Sequence, residues 1–246
     1  MDRKLENKVG VIVGGTRGIG KAIALRMAEL GMDIAVLARN AGELAETKKE
    51  ITDLGVKCLT IQADAAKYED FGTAYQKAWD TFGRFDLLVN SAGTGVMTPF
   101  EELSLEDIDT TIDVNLKGTI YSIRQAVTYM AKNGGGNILN VSSMSAIRGI
   151  PDPVNCNGIY TATKFAINGF TECMQKYLLK YNIRVTALCP GSTATSWWTR
   201  WTHSFGTDAM LPVDTLADVA EMIVTSPEKV LFKQLQLLPT VEVDNF

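Results

Sequence analysis

Val9-Gly10-Val11-Ile12-Val13-Gly14-Gly15-Thr16-Arg17-Gly18-Ile19-Gly20, continued by Lys21 to Leu30, decides the fold. Val9 to Val13 is a short run rich in β-branched residues, which predicts a buried strand. From Ile19 to Leu30 the apolar positions fall at helical spacing, so a strand feeds a helix through a glycine-rich turn. Glycines lack a Cβ and let the backbone turn tightly and approach a pyrophosphate, while the helix N-terminus offers unpaired N–H groups to the anion. A glycine cluster can also be a plain strand-to-helix turn. The strand before it and the helix after it favour dinucleotide binding.

The same alternation continues outward. Ile34 to Leu37 precedes the helical stretch Glu43 to Leu54, and Cys58 to Ile61 precedes Phe71 to Phe82. Leu87 to Val89, Asn137 to Val141 and Arg184 to Leu188 read as further buried strands, with a long helical stretch from Leu105 to Ala131 and another beginning near Tyr160. This βα order predicts an α/β fold: one doubly wound parallel sheet of Rossmann type with helices on both faces. Asn133-Gly134-Gly135-Gly136 fits a helix-to-strand turn, and neither a linker nor a repeat interrupts residues 1–246, which are expected to form a single domain.

Composition narrows the function. The 246 residues are 46% hydrophobic and 21% charged, with a net charge of −4, an ordinary globular balance that gives no general attraction to nucleic acid or membrane surface. A small molecule is the expected partner. The N-terminal residues lack a signal-peptide pattern and no apolar run would span a bilayer, so the cytoplasm is the expected compartment. Cys58, Cys156, Cys173 and Cys189 have no paired spacing, and His203 is the only histidine, so no metal site and no Ser-His-Asp mechanism is expected.

Ligands of open parallel sheets bind beyond the carboxyl ends of the strands. At the end of the second strand, where a carboxylate would take a ribose 2′-hydroxyl, the chain has Ala38-Arg39-Asn40. Arg39 with Arg17 could form a guanidinium pair around a 2′-phosphate, which favours NADP(H) over NAD(H), although NAD(H) stays possible; both could also be ordinary surface arginines. After Asn137 to Val141 come Ser142-Ser143, where a hydroxyl could hold a carbonyl oxygen or merely cap the strand. Among the seven tyrosines only Tyr160 has a lysine four residues on, Lys164, and an i,i+4 pair on a helix shares one face. A nearby cation would make the phenol a workable acid and base.

Taken in order, these motifs resemble the short-chain dehydrogenase/reductase family, in its single-domain branch of about this length. Asp64 and Ala65 after the third strand resemble the family segment that meets the adenine. Asn90-Ser91-Ala92-Gly93 resembles an Asn-Asn-Ala-Gly segment, Asn115 matches a helix asparagine that anchors a water, and Pro190-Gly191-Ser192-Thr193-Ala194-Thr195 resembles the turn that holds the nicotinamide. The resemblance implies Gly14, Thr16, Arg17, Gly18, Ile19, Gly20, Arg39, Asp64, Ala65, Asn90, Ala92, Gly93, Pro190, Gly191, Thr193 and Thr195 as cofactor residues, together with Tyr160 and Lys164. It implies that Tyr160 gives a proton to a carbonyl oxygen held by Ser143, that Lys164 lowers the Tyr160 pKa and binds the ribose, and that Asn115 supports a proton relay.

The implied activity is interconversion of a ketone or aldehyde with an alcohol, as in a carbonyl reductase. Rival readings are a 3-oxoacyl-thioester reductase, which would need a basic patch for an acyl carrier, and a non-catalytic nicotinamide sensor. The family also implies a homo-oligomer, tetramer or dimer, and a substrate lid around 192–212. That lid holds three of the four tryptophans. Trp197 and Trp198, with Ser145, are therefore candidate substrate residues, which suggests a hydrophobic or ring-containing substrate; the same aromatics could bury in a subunit contact. Arg200 or His203 could meet a polar substrate group. Val13 stands where the family has threonine and Ser91 where it has a second asparagine. The loop Met144 to Ile159 is longer than the family pattern, as a pocket element or as a surface insertion.

Overall fold

A computed structural model describes residues 3–149, 157–200 and 206–245. Cys156 and the middle of the long loop, with Pro151, Pro153 and Asn155, lie outside them, as do Trp201, His203, Phe205 and the Arg200 side chain. Among the described residues the chain runs β1 (Val9–Val13), α1 (Gly18–Glu29), β2 (Asp33–Ala38), α2 (Ala41–Asp53), β3 (Cys58–Gln62), α3 (Tyr68–Phe82) and β4 (Leu87–Asn90). It continues with α4 (Leu105–Ile112), α5 (Gly118–Lys132), β5 (Gly136–Val141), α6 (Gly158–Leu178), β6 (Ile183–Pro190), α7 (Val213–Thr225) and β7 (Gln234–Leu237). The seven strands form one sheet in the order β3-β2-β1-β4-β5-β6-β7, every pair parallel. The doubly wound sheet expected from the βα alternation is the one observed.

Alternation along the strands builds a core on each face. Ile12, Ile34, Val36 and Val89 pack against α1, α2 and α7, whereas Val11, Val13, Ala35 and Leu88 pack against α3, α5 and α6. The first layer is centred on Ile23, Met27, Leu216 and Ile223, the second on Phe71, Tyr75, Ile123 and Met130. Gly10 shows how tight the first layer is: a Cβ there would stand 2.8 Å from the Met32 sulfur. Local signals end the helices. Asn40 accepts from the Gly42 and Glu43 amides to start α2, Ser104 accepts from the Asp107 amide to start α4, and Gly83 ends α3 with φ +68°.

Two features depart from the expected elements. The helical stretch expected to run from Leu105 to Ala131 is divided by one π-turn, Asp113–Lys117, in which the Gly118 amide bonds the Asp113 carbonyl five residues back. Gly118 lets the end of this turn pack closely on the segment after β3, where a Cβ would lie 2.6 Å from the Ala65 carbonyl oxygen. A polar chain also runs along one face of the sheet. The Tyr75 hydroxyl lies 2.6 Å from Ser122 Oγ, which donates to Asn90 Oδ1 at 2.5 Å; Asn90 donates to Asn140 at 2.9 Å, and Asn140 to Thr171 Oγ1 at 2.8 Å. All five residues are buried, so every link replaces water that cannot enter.

Candidate active site

The strand order reverses between β1 and β4, and the loops at the carboxyl edge there are where such sheets bind ligands. The glycine turn stands on one side of this crevice. Gly14 has φ +77°, and a Cβ on it would come within 2.6 Å of the Ala92 amide nitrogen; Gly18 has φ +54° with Thr195 Cγ2 3.2 Å from its missing Cβ. The turn that follows β1, the segment after β4 and the turn after β6 thus meet. No side chain caps α1 at Arg17, which leaves its first amides for a ligand. A pyrophosphate fits this cradle: the turn has space that a Cβ would fill, and the helix end presents donors.

Around the adenosine end of that cradle the predicted residues take different parts. Arg17 and Arg39 are exposed, and among the described residues neither guanidinium makes an ion pair. The Thr16 hydroxyl donates to Glu43 Oε2 at 2.7 Å, a carboxylate that the sequence reading did not single out. Asp64 Oδ1 accepts from the Ala66 amide, and Ala65 packs under Gly118. Asn90 commits its side chain to the polar chain with Ser122 and Asn140.

On the other side, β5 and α6 bring together the residues of the predicted catalytic set. The Ser143 hydroxyl lies close enough to the Tyr160 phenol to favour its ionised form. Lys164 Nζ is 5.4 Å from the Tyr160 ring centroid and donates to the Val141 carbonyl at 2.9 Å. Asn115 sits in the π-turn: its Oδ1 accepts from the Thr94 amide at 2.8 Å, and its Nδ2 donates to the Thr94 carbonyl at 2.8 Å and to Thr163 Oγ1 at 3.2 Å. Thr163, one residue before the lysine, escaped the sequence reading because a threonine on a helix carries no signal of its own. The asparagine is thereby tied to the helix that carries Tyr160 and Lys164.

Electrostatics correct one expectation. Burial pushes the Tyr160 phenol above its ordinary value, opposed by the Ser143 hydrogen bond. Burial also pushes the Lys164 ammonium down to about 8. The lysine was expected to lower the Tyr160 pKa; burial outweighs the Ser143 hydrogen bond and the phenol moves up.

The candidate substrate residues divide. Trp197, in the 3₁₀ turn Ser196–Arg200, tilts over Tyr160 with ring centroids 5.6 Å apart. Gly95 lies beneath both, where a Cβ would be 3.1 Å from Tyr160 Cδ2 and 3.3 Å from Trp197 Cη2. Sequence gave no reason to choose Gly95. Trp198 is turned to the lid base, its indole N–H donating to the Thr193 carbonyl at 2.9 Å. Ser145 is buried, and its amide donates to Ser143 Oγ at 3.0 Å, so this residue orients the serine.

A doubly wound sheet with a glycine cradle at its switch point, and a serine, tyrosine and lysine beside it, defines the class of nicotinamide-type oxidoreductases. Comparison with known proteins gives the family. The short chain dehydrogenase model matches residues 8–204, and the chain belongs to that family of oxidoreductases. An uncharacterized oxidoreductase of Staphylococcus epidermidis is 31% identical over 236 residues, 96% of this chain and 99% of that one. An alcohol dehydrogenase of the archaeon Thermococcus sibiricus, solved with 5-hydroxy-NADP, superposes with a TM-score of 0.86 at 29% identity, covering 95% of this chain and 97% of that one. A short chain dehydrogenase of Burkholderia cenocepacia in complex with NADP gives 0.85 at 29% identity, covering 96% and 98%. Among the described residues no cluster could hold a metal ion, and no helix is long and apolar enough to cross a membrane.

Proposed function

We propose that this oxidoreductase is an NADP(H)-dependent carbonyl reductase or alcohol dehydrogenase acting on a small, hydrophobic or ring-containing ketone, aldehyde or alcohol. The observation that carries it is the meeting of Ser143, Tyr160 and Lys164, the lysine 5.4 Å from the phenol ring, at the carboxyl edge of the sheet. A bound nicotinamide supplies the hydride in reduction and takes it in oxidation. Tyr160 gives its phenolic proton to the carbonyl oxygen as charge develops there, and Ser143 steadies that oxygen by donating a hydrogen bond. Lys164 binds the nicotinamide ribose from its place behind the phenol. Asn115 anchors the water through which Tyr160 regains its proton. Gly14, Gly18, Ile19 and Gly20 hold the pyrophosphate with their backbone, Asp64 and Ala65 line the adenine, and Ala92, Gly93, Pro190, Gly191, Thr193 and Thr195 flank the nicotinamide.

The choice of NADP(H) rests on Arg17 and Arg39, two exposed guanidinium groups without a carboxylate partner among the described residues. The two structural relatives with bound NADP ligands support it. Trp197, tilted over Tyr160, forms the apolar wall that selects the substrate.

NADPH oxidation across a panel of ketones and aldehydes tests this reading. Tyr160→Phe is expected to lower turnover by about a hundredfold or more, the usual weight of a positioned acid, with NADPH affinity kept. Near wild-type turnover in that variant would remove the proposal. Arg39→Asp is expected to weaken NADPH binding relative to NADH by about tenfold or more, because one charge-assisted contact becomes a repulsion; an unchanged ratio of the two dissociation constants would return Arg39 to an ordinary surface residue.

A further inference from the structure

We propose that Glu242, in the C-terminal 3₁₀ turn Thr240–Asn245, is a positioning residue that fixes the Pro190-Gly191-Ser192 turn in the shape that receives the cofactor. The inference rests on the function proposed above, in which this turn flanks the nicotinamide. Glu242 is 6% exposed although its neighbours Val241 and Val243 are 52% and 58% exposed. Its carboxylate therefore points inward from an otherwise open turn. Oε2 accepts from the Ser192 amide at 3.1 Å, and Oε1 accepts from the Ser192 hydroxyl. Among the described residues no lysine or arginine pairs with it.

A buried carboxylate without a cation costs solvation, so its two hydrogen bonds add little net stability. What they do is fix geometry. A Cβ on Gly191 would stand 2.5 Å from Glu242 Oε2, 2.9 Å from Leu238 Cδ2 and 3.0 Å from Pro239 Cδ, so the carboxylate and the chain after β7 press the turn from behind. The Gly191 amide donates to the Leu237 carbonyl at 2.7 Å, and the Glu242 amide to the Pro239 carbonyl at 2.9 Å, which keeps the presser itself in place. Beyond Ser192 the constraint passes into the lid. The Leu211 amide donates to the Ser192 carbonyl at 2.9 Å, and the Thr193 carbonyl accepts from the Trp198 indole. One side chain from the end of the chain thus sets a segment that the function needs at both its ends.

The test is calorimetric titration of NADPH into the wild type, Glu242→Ala and Glu242→Gln, with amide hydrogen exchange at Ser192 in the same proteins before cofactor is added. Glu242→Ala is expected to weaken NADPH binding by about tenfold and to speed Ser192 exchange by a similar factor, the scale of one charge-assisted hydrogen bond. Turnover at saturating cofactor should stay near wild type, so the loss falls on the cofactor KM. Glu242→Gln keeps an acceptor for the Ser192 amide and should restore most of the affinity. Wild-type affinity and exchange in Glu242→Ala would overturn the inference while leaving the proposed function intact. Failure of the wild type to bind either nicotinamide would sink that function and this inference with it. If Glu242→Ala does not fold, Ser192→Ala decides: about threefold weaker NADPH binding supports the clamp, and unchanged affinity overturns it.

Discussion

Lys164 shows how a single side chain can be tuned by burial. The residue is 4% exposed, and the loss of water around its ammonium disfavours the charged form and lowers its pKa to about 8. The sign follows. Below pH 8 the lysine is charged and supports the phenol; above it the lysine is neutral and the Tyr160 site loses its neighbouring cation. The proposed reduction is therefore expected to show kcat/KM that is level through neutral pH and falls above about pH 8, and a profile with no inflection in that region would contradict the role given to Lys164. The meeting of these side chains was legible in advance where spacing alone carries it: Tyr160 and Lys164 are one helical turn apart, and Ser143 follows a strand. Gly95, Thr163 and Glu242 were not. Each acts on a residue 48 or more positions away in the chain, such as Gly95 on Tyr160, Thr163 on Asn115 and Glu242 on Ser192, and no local pattern records such a meeting.

At the scale of elements, periodicity identified strands and helices but not the widened turn that holds Asn115. A π-turn inserts one residue into an otherwise continuous helical stretch, so the apolar pattern on either side still reads as helix. Its consequence is positional: Asn115 leaves the helical register and reaches both Thr94 and Thr163. The 3₁₀ turn Ser196–Arg200 was legible only as an aromatic cluster, and the structure separates its two tryptophans by what they touch. Trp197 meets Tyr160, while Trp198 anchors the turn to Thr193. Trp197→Ala is accordingly expected to raise KM for ring-containing substrates by about tenfold, the worth of a well-packed aromatic contact, and to change small aldehydes little. A uniform change across both substrate sizes, or a change only in oligomer size by light scattering, would take Trp197 out of the pocket wall.

For the whole molecule, the sheet is held by more than apolar packing, since the Tyr75–Ser122–Asn90–Asn140–Thr171 chain ties the three helices α3, α5 and α6 of one face to the strands β4 and β5. Ser122→Ala leaves the Tyr75 hydroxyl and the Asn90 carbonyl oxygen without their shared partner in a buried place. It is expected to cost about 1–3 kcal/mol and to lower Tm by several degrees; an unchanged melting curve would mean that water or a repacked neighbour replaces the serine. The strand order has a different consequence, one that arises while the chain is being made. β1 finds β2 at once, but its other edge must wait for β4, and the 74 positions from Val13 to Leu87 separate them. At roughly 5–20 residues per second on the ribosome, that edge stays open for about 4–15 s, with its backbone donors and acceptors unpaired. The middle of the finished sheet is thus the rim of the nascent one, and the segment bearing the glycine turn is where a chaperone would find this chain.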